Sequence, residues 1–575
     1  MLSKTWFYYL GLNLIILSVS TNLFAGWSNN PSVNDPVCTA ANNQLGIKMI
    51  SDGNNGVIMV WEDNRVVSTG DRNIYAQHID RYGNKKWGDV NGLPIAVKPV
   101  TERYYDICTD GKGGAFIFWD DNPTSTITYL KAQRITPDGT KLFSDTGKVI
   151  ANDGNRQSQA MIAYDNNGGC YFAYQSSELS STDYDLKANR LDSNGNKLWG
   201  SGVWFCNMTG IQQSLDVCVT SDNNFFISWG DPRTSPVTDY DIYCQKLSPG
   251  GIPQWQVNGV PVVVIKLAQE YQKVYPDNSG GAYVTWVDRR DSIENSLYVQ
   301  RIKSSGQPAF VLNGLLINNA PDDNYGCQIC TDGKGGSIIS WFDYRNGPSF
   351  PFNIDIYAQR VDSNGTIKWQ NNGVRICGSA FSQINNKMCY DGNYGAIITW
   401  DDRRNGTSIY DIYAQRVDSS GNVKWDTACA LVSNAPGNQL KPQIVSTNDG
   451  AIICFEDTRS GSSNYDIYAM KLLSNGGLVA VNNNTEIVSE FTITQNFPNP
   501  FNPQTRFDVQ LKRSGFADIT IYDVMGREIQ KMFTGYLSEG KHTFTFDGRN
   551  YTSGIYFYRV TTAEYSDVKQ MMLIK

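Results

Sequence analysis

One phrase recurs eight times along the chain, and the distance between copies leaves few folds open. Its centre reads DGNNGVIMVWEDNR from Asp52, DGKGGAFIFWDDNP from Asp110, DGKGGSIISWFDYR from Asp332 and DGNYGAIITWDDRR from Asp391. The aromatic that ends it falls at Trp61, Trp119, Tyr174, Trp229, Trp286, Trp341, Trp400 and Phe455, so seven intervals span 394 residues, about 56 apiece. A second phrase follows each copy, as in DIYAQRVDSNGTIKW from Asp355 and DIYAQRVDSSGNVKW from Asp411. Fixed-period self-similarity marks a fold built from stacked copies of one supersecondary unit.

Each copy reads as four strands. A short apolar run such as Gln328 to Thr331 is the first, an Asp-Gly-x-Gly-Gly turn closes a hairpin, and the alternating run to the Trp is the second. The Tyr-Ala-Gln-Arg phrase is the third, Asp-Ser-Asn-Gly turns the chain again, and the fourth runs from the next Trp to an apolar pair. Four antiparallel strands in about 56 residues is the size of a β-propeller blade, whereas a sandwich needs about 100. The eighth copy lacks its fourth-strand phrase. Trp27 through Pro36, Val37 and Cys38 lines up with Trp255 through Pro261, Val262 and Val263, so the N-terminal strand is expected to complete the last blade. The alternative is a local strand from Leu478 to Ile487. The expectation is an all-β chain with an eight-bladed propeller at 26–480.

Composition agrees with this class. Charged residues are 18%, aromatics 12%, and there are 52 glycines, a strand-and-turn vocabulary rather than a helical one. The net charge of -7 carries no basic run, so neither nucleic acid nor a polybasic membrane contact is expected as partner. Only His78 and His542 are present, which removes any zinc or iron site built on a histidine cluster.

Lys4 followed by an apolar run from Trp6 to Val19 and then small residues has the layout of a secretory signal peptide at 1–25, cut after Ser20 or Ala25. The run is shorter than the roughly 20 residues a membrane span needs, and no later segment could span, so no transmembrane segment is expected after cleavage.

Past a linker at 481–490 the register changes. Pro498, Pro500 and Pro503 suggest an extended entry, and strands are expected at Ala517 to Asp523, His542 to Phe546, Ile555 to Thr561 and Lys569 to Ile574, a small Ig-like β-sandwich. QNFPNPFNP, ITIYDVMGREI, GKHTFTFDGRN, SGIYFYRV and the terminal KQMMLIK occur in that order. Over 491–575 the chain resembles the C-terminal sorting domain of type IX secretion cargo of Bacteroidota and their relatives. The matching positions are Asn496, Pro498, Pro500, Phe501 and Pro503, then Tyr522, Asp523, Gly526 and Arg527, then Gly540, Asp547, Gly548, Gly554, Tyr556 and Lys575. The resemblance implies passage through the periplasm to the outer surface, handling by the type IX machinery and its sorting peptidase, and release or surface attachment. It implies nothing about the passenger's task.

Candidate chemistry is sparse beside structural repetition. Of the thirteen tryptophans after the leader, twelve occupy repeated second- and fourth-strand positions and read as blade core; Trp204 does not. Asp and Arg recur together as Asp63 and Arg65, Asp231 and Arg233, Asp288 and Arg290, Asp343 and Arg345, Asp402 and Arg404, Asp457 and Arg459. Two residues apart on a strand, each pair projects to one side and reads as a charge-assisted staple rather than repeated catalysis. The Asp-rich turns lack the Asp-x-Asp-x-Asp-Gly run and distal Glu of a calcium loop, so no cofactor is expected and calcium, though compatible with such turns, is not indicated. His78 stands where other copies carry Arg or Lys. Cys108, Cys218, Cys330 and Cys389 share one column and Cys38, Cys206 and Cys377 another, which suits small buried hydrophobes better than bridges.

The repeat fails at two neighbouring copies. The third has Ser176 and Glu178 for Asp and Arg and Lys187 for the third-strand Tyr, while the second has Pro123 and Lys131. A ligand site at Glu178, Lys131, Lys187 and Trp204 is one reading, and drift under relaxed packing the other. The leading functional expectation is an exported, non-catalytic propeller that binds a glycan or a surface protein. A polysaccharide hydrolase or lyase would instead need a non-repeated pair of acids at the channel mouth. A structural or adhesive surface component is the third possibility.

Overall fold

The computed structural model describes residues 26–66, 72–97, 102–122, 127–153, 156–179, 183–234, 239–291, 294–347, 353–406, 408–479, 491–511, 514–524, 526–562 and 566–575. The proposed leader, Pro123 and the proposed linker lie outside them. Two compact units divide the chain, Met1–Val481 and Asn482–Lys575. Every regular element among the described residues is a strand.

The first unit holds eight blade-like, four-stranded antiparallel sheets. Sheet one is made of Gln44–Ser51, Val57–Asp63, Asn73–Ile79 and Leu93–Ala96, and sheets two to seven repeat the pattern. Sheet eight takes Gln439–Thr447, Gly450–Asp457 and Asp466–Leu473, with Asp35–Cys38 from the chain's start as its fourth strand. The register is Asp35 opposite Ala469, Pro36 opposite Tyr468 and Cys38 opposite Ile467. Leu478 makes only the isolated bridge to Leu472 that each other unit makes at the equivalent place.

Second and third strands are buried along nearly their whole length because sheet faces pack on both sides. The hairpin joining the first two strands is set by its aspartate. Asp52 Oδ1 accepts the N–H of Asn54 at 2.7 Å and of Gly56 at 2.8 Å. A Cβ on Gly56 would sit 2.5 Å from the Ile79 carbonyl oxygen, so only glycine lets the third strand close over the turn. The outer oxygen of this aspartate meets a third-strand cation: Arg134 to Asp110, Arg190 to Asp165, Arg301 to Asp277, Arg360 to Asp332 and Arg416 to Asp391, at 2.8–2.9 Å. His78 fills the place in sheet one, 3.0 Å from Asp52.

Two features differ from the sequence expectation. The Trp of the second phrase is not in the fourth strand, which is four residues long and begins later. It sits in the preceding turn, where its indole N–H donates to a turn carbonyl of the following sheet: Trp87 to Pro137, Trp199 to Pro249, Trp255 to Ser304, Trp369 to Ser419 and Trp425 to Ser474, at 3.0–3.1 Å. Trp27 makes the same bond to Arg81 of sheet one at 2.9 Å. An indole buried at a seam needs an acceptor, and the neighbour's turn supplies it.

The second difference lies in the first strands, which begin some four residues earlier than the apolar run suggests and each carry a bulge. The bulged residue is left-handed in every sheet: Gly46 (φ 70°), Tyr104 (49°), Gln159 (54°), Ser214 (56°), Tyr271 (58°), Gly326 (64°), Asn385 (56°) and Lys441 (50°). First strands lie beside first strands in succession, that of sheet eight beside that of sheet one.

The second unit packs a three-stranded sheet (Phe491–Ile493, Gln504–Leu511, Gly540–Asp547) and a four-stranded one (Glu528–Leu537, Gly515–Asp523, Gly554–Thr562, Ser566–Leu573) over one core. Phe507 and Tyr558 stack across it at 4.1 Å. The entry is not extended as the prolines suggested. The bonds before Pro498, Pro500 and Pro503 are cis, and the segment folds back to bury Phe501 and to pair its N–H with the Met572 carbonyl at 2.8 Å.

Candidate functional site

The repeated aspartates and arginines are consumed inside the sheets. Trp61, Trp229, Trp286, Trp341 and Trp400 donate their indole N–H to the aspartate two residues on, at 2.7–2.9 Å. Arg65, Arg233, Arg290, Arg345, Arg404 and Arg459 pair with the same carboxylates at 2.5–2.7 Å. Each guanidinium lies over the third-strand tyrosine, 3.6–4.0 Å from the ring centroid. Asp63, Asp231, Asp288, Asp343, Asp402 and Asp457 are all buried, each held by a guanidinium and a backbone N–H and, in every case but Asp457, by an indole as well, so these carboxylates are spent on the fold.

The irregular sheets solve the same problem with a lysine. In sheet two Lys131 stands opposite Trp119 in register, and its ammonium lies 2.6 Å from Asp121. In sheet three Lys187, opposite Tyr174, reaches Glu178 at 2.5 Å and Asp153 at 2.9 Å and lies 4.8 Å over the Trp204 ring. The structure thus brings Glu178, Lys187 and Trp204 together, while Lys131 belongs to a separate pair. Burial alone would lower the Lys187 pKa, yet its bonds to Glu178 and Asp153 raise it above the ordinary lysine range. With its side chain 2% exposed, this ammonium is an internal counter-ion in the place of the missing arginine.

Other residues, not singled out by motif, face open space at the strand ends. The left-handed backbone of each bulge turns its side chain away from the sheet, so Tyr104 is 55% and Tyr271 59% exposed. Next to the bulge, the residue after the second-strand aromatic is acidic in four successive sheets: Asp401, Glu456, Glu62 and Asp120. Asp401 accepts the Lys441 N–H at 2.8 Å, Glu456 the Gly46 N–H at 2.8 Å, and Asp120 the Gln159 N–H at 3.3 Å, each bond crossing to the next sheet's bulge. Burial raises all three pKa values, that of Asp401 to about 8.

Two residues further along the first strands, one register position is polar in seven of eight sheets. Paired opposite the residue before the second-strand aromatic stand Lys48, Asp106, Met161, Asp216, Lys273, Gln328, Lys387 and Gln443. Lys48 binds Asp106 at 2.9 Å, and Asp106 also accepts the Ile162 N–H at 2.9 Å. Asp216 accepts the Val274 N–H at 2.8 Å. The Asp216 carboxylate holds the Lys273 pKa above the lysine range, while burial raises that of Asp216 itself. Sequence reading passed over this column because its residue types differ from copy to copy. The usable signal was position alone, thirteen residues before the aromatic in seven copies and twelve in the last.

The second unit holds its motif residues in structural roles. Asn496 is buried and donates to Thr505 at 2.9 Å. Arg527 closes a turn onto Asp523 at 2.7 Å. Gly548 leaves no room for a Cβ, which would meet Leu573 at 2.9 Å and Phe501 at 3.1 Å. Tyr556 donates to the Thr552 carbonyl at 2.8 Å, and the Lys575 ammonium to that of Arg549 at 2.7 Å. A sandwich carrying this ordered set at the end of a β-rich passenger defines exported cargo of a dedicated secretion system. Residues 495–575 match the family model described as the secretion system C-terminal sorting domain, the type IX signal, and the chain is destined for the cell surface or the medium. No curated protein matches the sequence.

Solved structures share its outline only loosely. A protein of unknown function from Dyadobacter fermentans is 11% identical with a TM-score of 0.33, over 56% of this chain and 95% of that one. An α-L-arabinanase of Penicillium chrysogenum complexed with arabinobiose is 12% identical, TM-score 0.35, over 55% and 94%. PorZ, a surface component of the type IX secretion system of Porphyromonas gingivalis, is 10% identical, TM-score 0.29, over 94% and 82%. Likenesses this distant carry no weight for activity.

Proposed function

We propose that the protein is an exported, non-catalytic binding propeller that takes a glycan at the mouth of its central channel, delivered by type IX secretion. In this reading the eight sheets close into one ring with the first strands innermost. The Trp27 bond to Arg81, the pairing of Asp35–Cys38 into sheet eight and the Gly46 N–H bond to Glu456 support it, since all three join the last sheet to the first or to the chain's start. The C-terminal unit then acts as an Ig-like sorting module read by the machinery and its peptidase.

The observation that carries the binding role is the pair Tyr104 and Tyr271. A bulky residue held left-handed costs roughly 1–3 kcal/mol and persists only where the surroundings impose it. Here the cost leaves two phenol rings standing in solvent at one ring of positions, where flat aromatic faces suit the C–H faces of sugars. The test is a glycan array probed with the full exported chain and with Tyr104→Ala and Tyr271→Ala. Hits weakened at least about tenfold by either change support the site; silence, or hits indifferent to both, ends it.

A second reading as a polysaccharide hydrolase is favoured by one observation, the inner carboxylates Asp106 and Asp216, the latter with a raised pKa of the kind a general acid needs. Release of reducing ends by the wild type and not by Asp216→Asn would establish it.

A further inference from the structure

The inner polar column is sorted by charge around the ring. Read in sheet order from five through eight to one, it runs Lys273, Gln328, Lys387, Gln443, Lys48; the remaining arc is Asp106, Met161, Asp216. At each junction between the arcs a lysine meets an aspartate: Lys48 with Asp106 in direct contact, Lys273 under the influence of Asp216. That leaves the central lysine of the basic arc. Lys387 has no hydrogen-bond or ion-pair partner among the described residues, and it is half-buried between two glutamine positions.

We propose that Lys387, flanked by Gln328 and Gln443 and backed by Lys273 and Lys48, is the receptor for a singly charged anionic group, a carboxylate or sulfate ester carried on the saccharide bound at the channel mouth. This rests on the glycan reading above and names the chemical class of its ligand. An ammonium taken from water needs an anion or acceptors to offset the loss of hydration; Lys48 and the staple arginines have a carboxylate in contact, and Lys273 has that of Asp216 as its strongest electrostatic neighbour. Two glutamines provide donors and acceptors that shape the space without competing as counter-ions. The aspartate arc lies on the opposite side, so an anion is drawn toward one side of the ring and repelled from the other, which orients the sugar. Burial, then the charges of Lys273 and Lys48, bring the Lys387 pKa down to about 8 against a smaller opposing pull from Asp216.

The experiment is calorimetric titration of the full exported chain with trigalacturonate, with its uncharged methyl ester, and with a sulfated galactotriose. Wild type is expected to bind at least one charged sugar about tenfold or more tightly than the ester, the worth of one charge-assisted hydrogen bond. The better of the two names the anion. Lys387→Met should erase that preference, bringing the charged sugar and the ester to the same affinity, and Lys387→Arg should keep most of it. Melting of Lys387→Met at or above the wild-type temperature shows that the fold survives, since an unpaired cation has been removed. Ester bound as tightly as both acids, or preference retained in Lys387→Met, overturns the anion site while leaving the glycan reading in place. Binding of none of the three overturns both for this sugar class.

Discussion

Arginine 290 offers the sharpest test of how the sheets are held. Its guanidinium pairs with Asp288 at 2.6 Å and covers the Tyr298 ring at 3.7 Å, while Asp288 has no exposed side-chain surface. Arg290→Ala strands a buried carboxylate whose remaining support is the Trp286 indole at 2.7 Å and the backbone, and breaking a buried pair from one side costs about 3–5 kcal/mol. Unfolding entropy near 2.1 cal/mol/K per residue over the ~450 residues of this unit gives roughly 1 kcal/mol per degree, so the melting temperature should fall about 3–5 °C. Sheet two supplies the repair. Lys131 occupies the position facing Trp119 that Tyr298 occupies facing Trp286, and it serves Asp121 from there. Arg290→Ala combined with Tyr298→Lys should therefore regain most of the loss in differential scanning calorimetry. A double variant melting no higher than Arg290→Ala would refute the claim that lysine and arginine are alternative solutions to one buried charge.

Other consequences are as direct. Asp401 has a folded pKa of about 8 against an unfolded value near 4, so the folded state holds a proton the unfolded chain has lost; stability falls as pH rises through that window and levels above it. Asp401→Asn should flatten the decline of melting temperature between about pH 5 and 8, and an unchanged slope would assign it elsewhere. The Cys377 and Cys429 sulfurs lie 3.1 Å apart, so in an oxidising compartment intact mass and peptide mapping should find them joined and the joined peptide lost in Cys429→Ser; free thiols after treatment with glutathione disulfide would contradict this. Gly548→Val should drive a side chain into Leu573 and Phe501 and leave the cargo in the periplasm, and normal surface delivery on cell fractionation would show that this packing is dispensable.

Strand number and pairing were legible because they rest on repetition. The Asp-Gly turns at Asp52, Asp110, Asp332 and Asp391 and the aromatic at fixed spacing define hairpins without any tertiary information, and a missing phrase at one end matched a surplus phrase at the other. The Asp and Arg staple was readable for the same reason, since period-two projection places both on one side. The seam tryptophans were misplaced because a turn residue and a strand residue look alike when both are buried. The bulge was invisible: Tyr104, Gln159 and Lys441 share a backbone conformation, not a side-chain type. The inner charge arcs escaped for a related reason, as Lys273 and Asp216 are neighbours only once first strands are laid side by side. The irregular copies did stand out, but Lys187 proved to be a counter-ion held by Glu178 and Asp153 rather than an open group.

Borrowing the fourth strand of sheet eight from the chain's start has a consequence for how this molecule is made. Asp35 meets Ala469, so the earliest folded segment to emerge must wait for nearly the whole passenger before it has a partner. Contacts of such separation are the slow ones, because the loop must be closed before the pairing is gained. Until then sheet eight shows an unpaired edge and sheet one lacks a neighbour, an adhesive state that favours any wrong strand nearby. The sorting domain at 495–575 lies beyond Ala469, so the pairing that completes sheet eight can form before that domain is made.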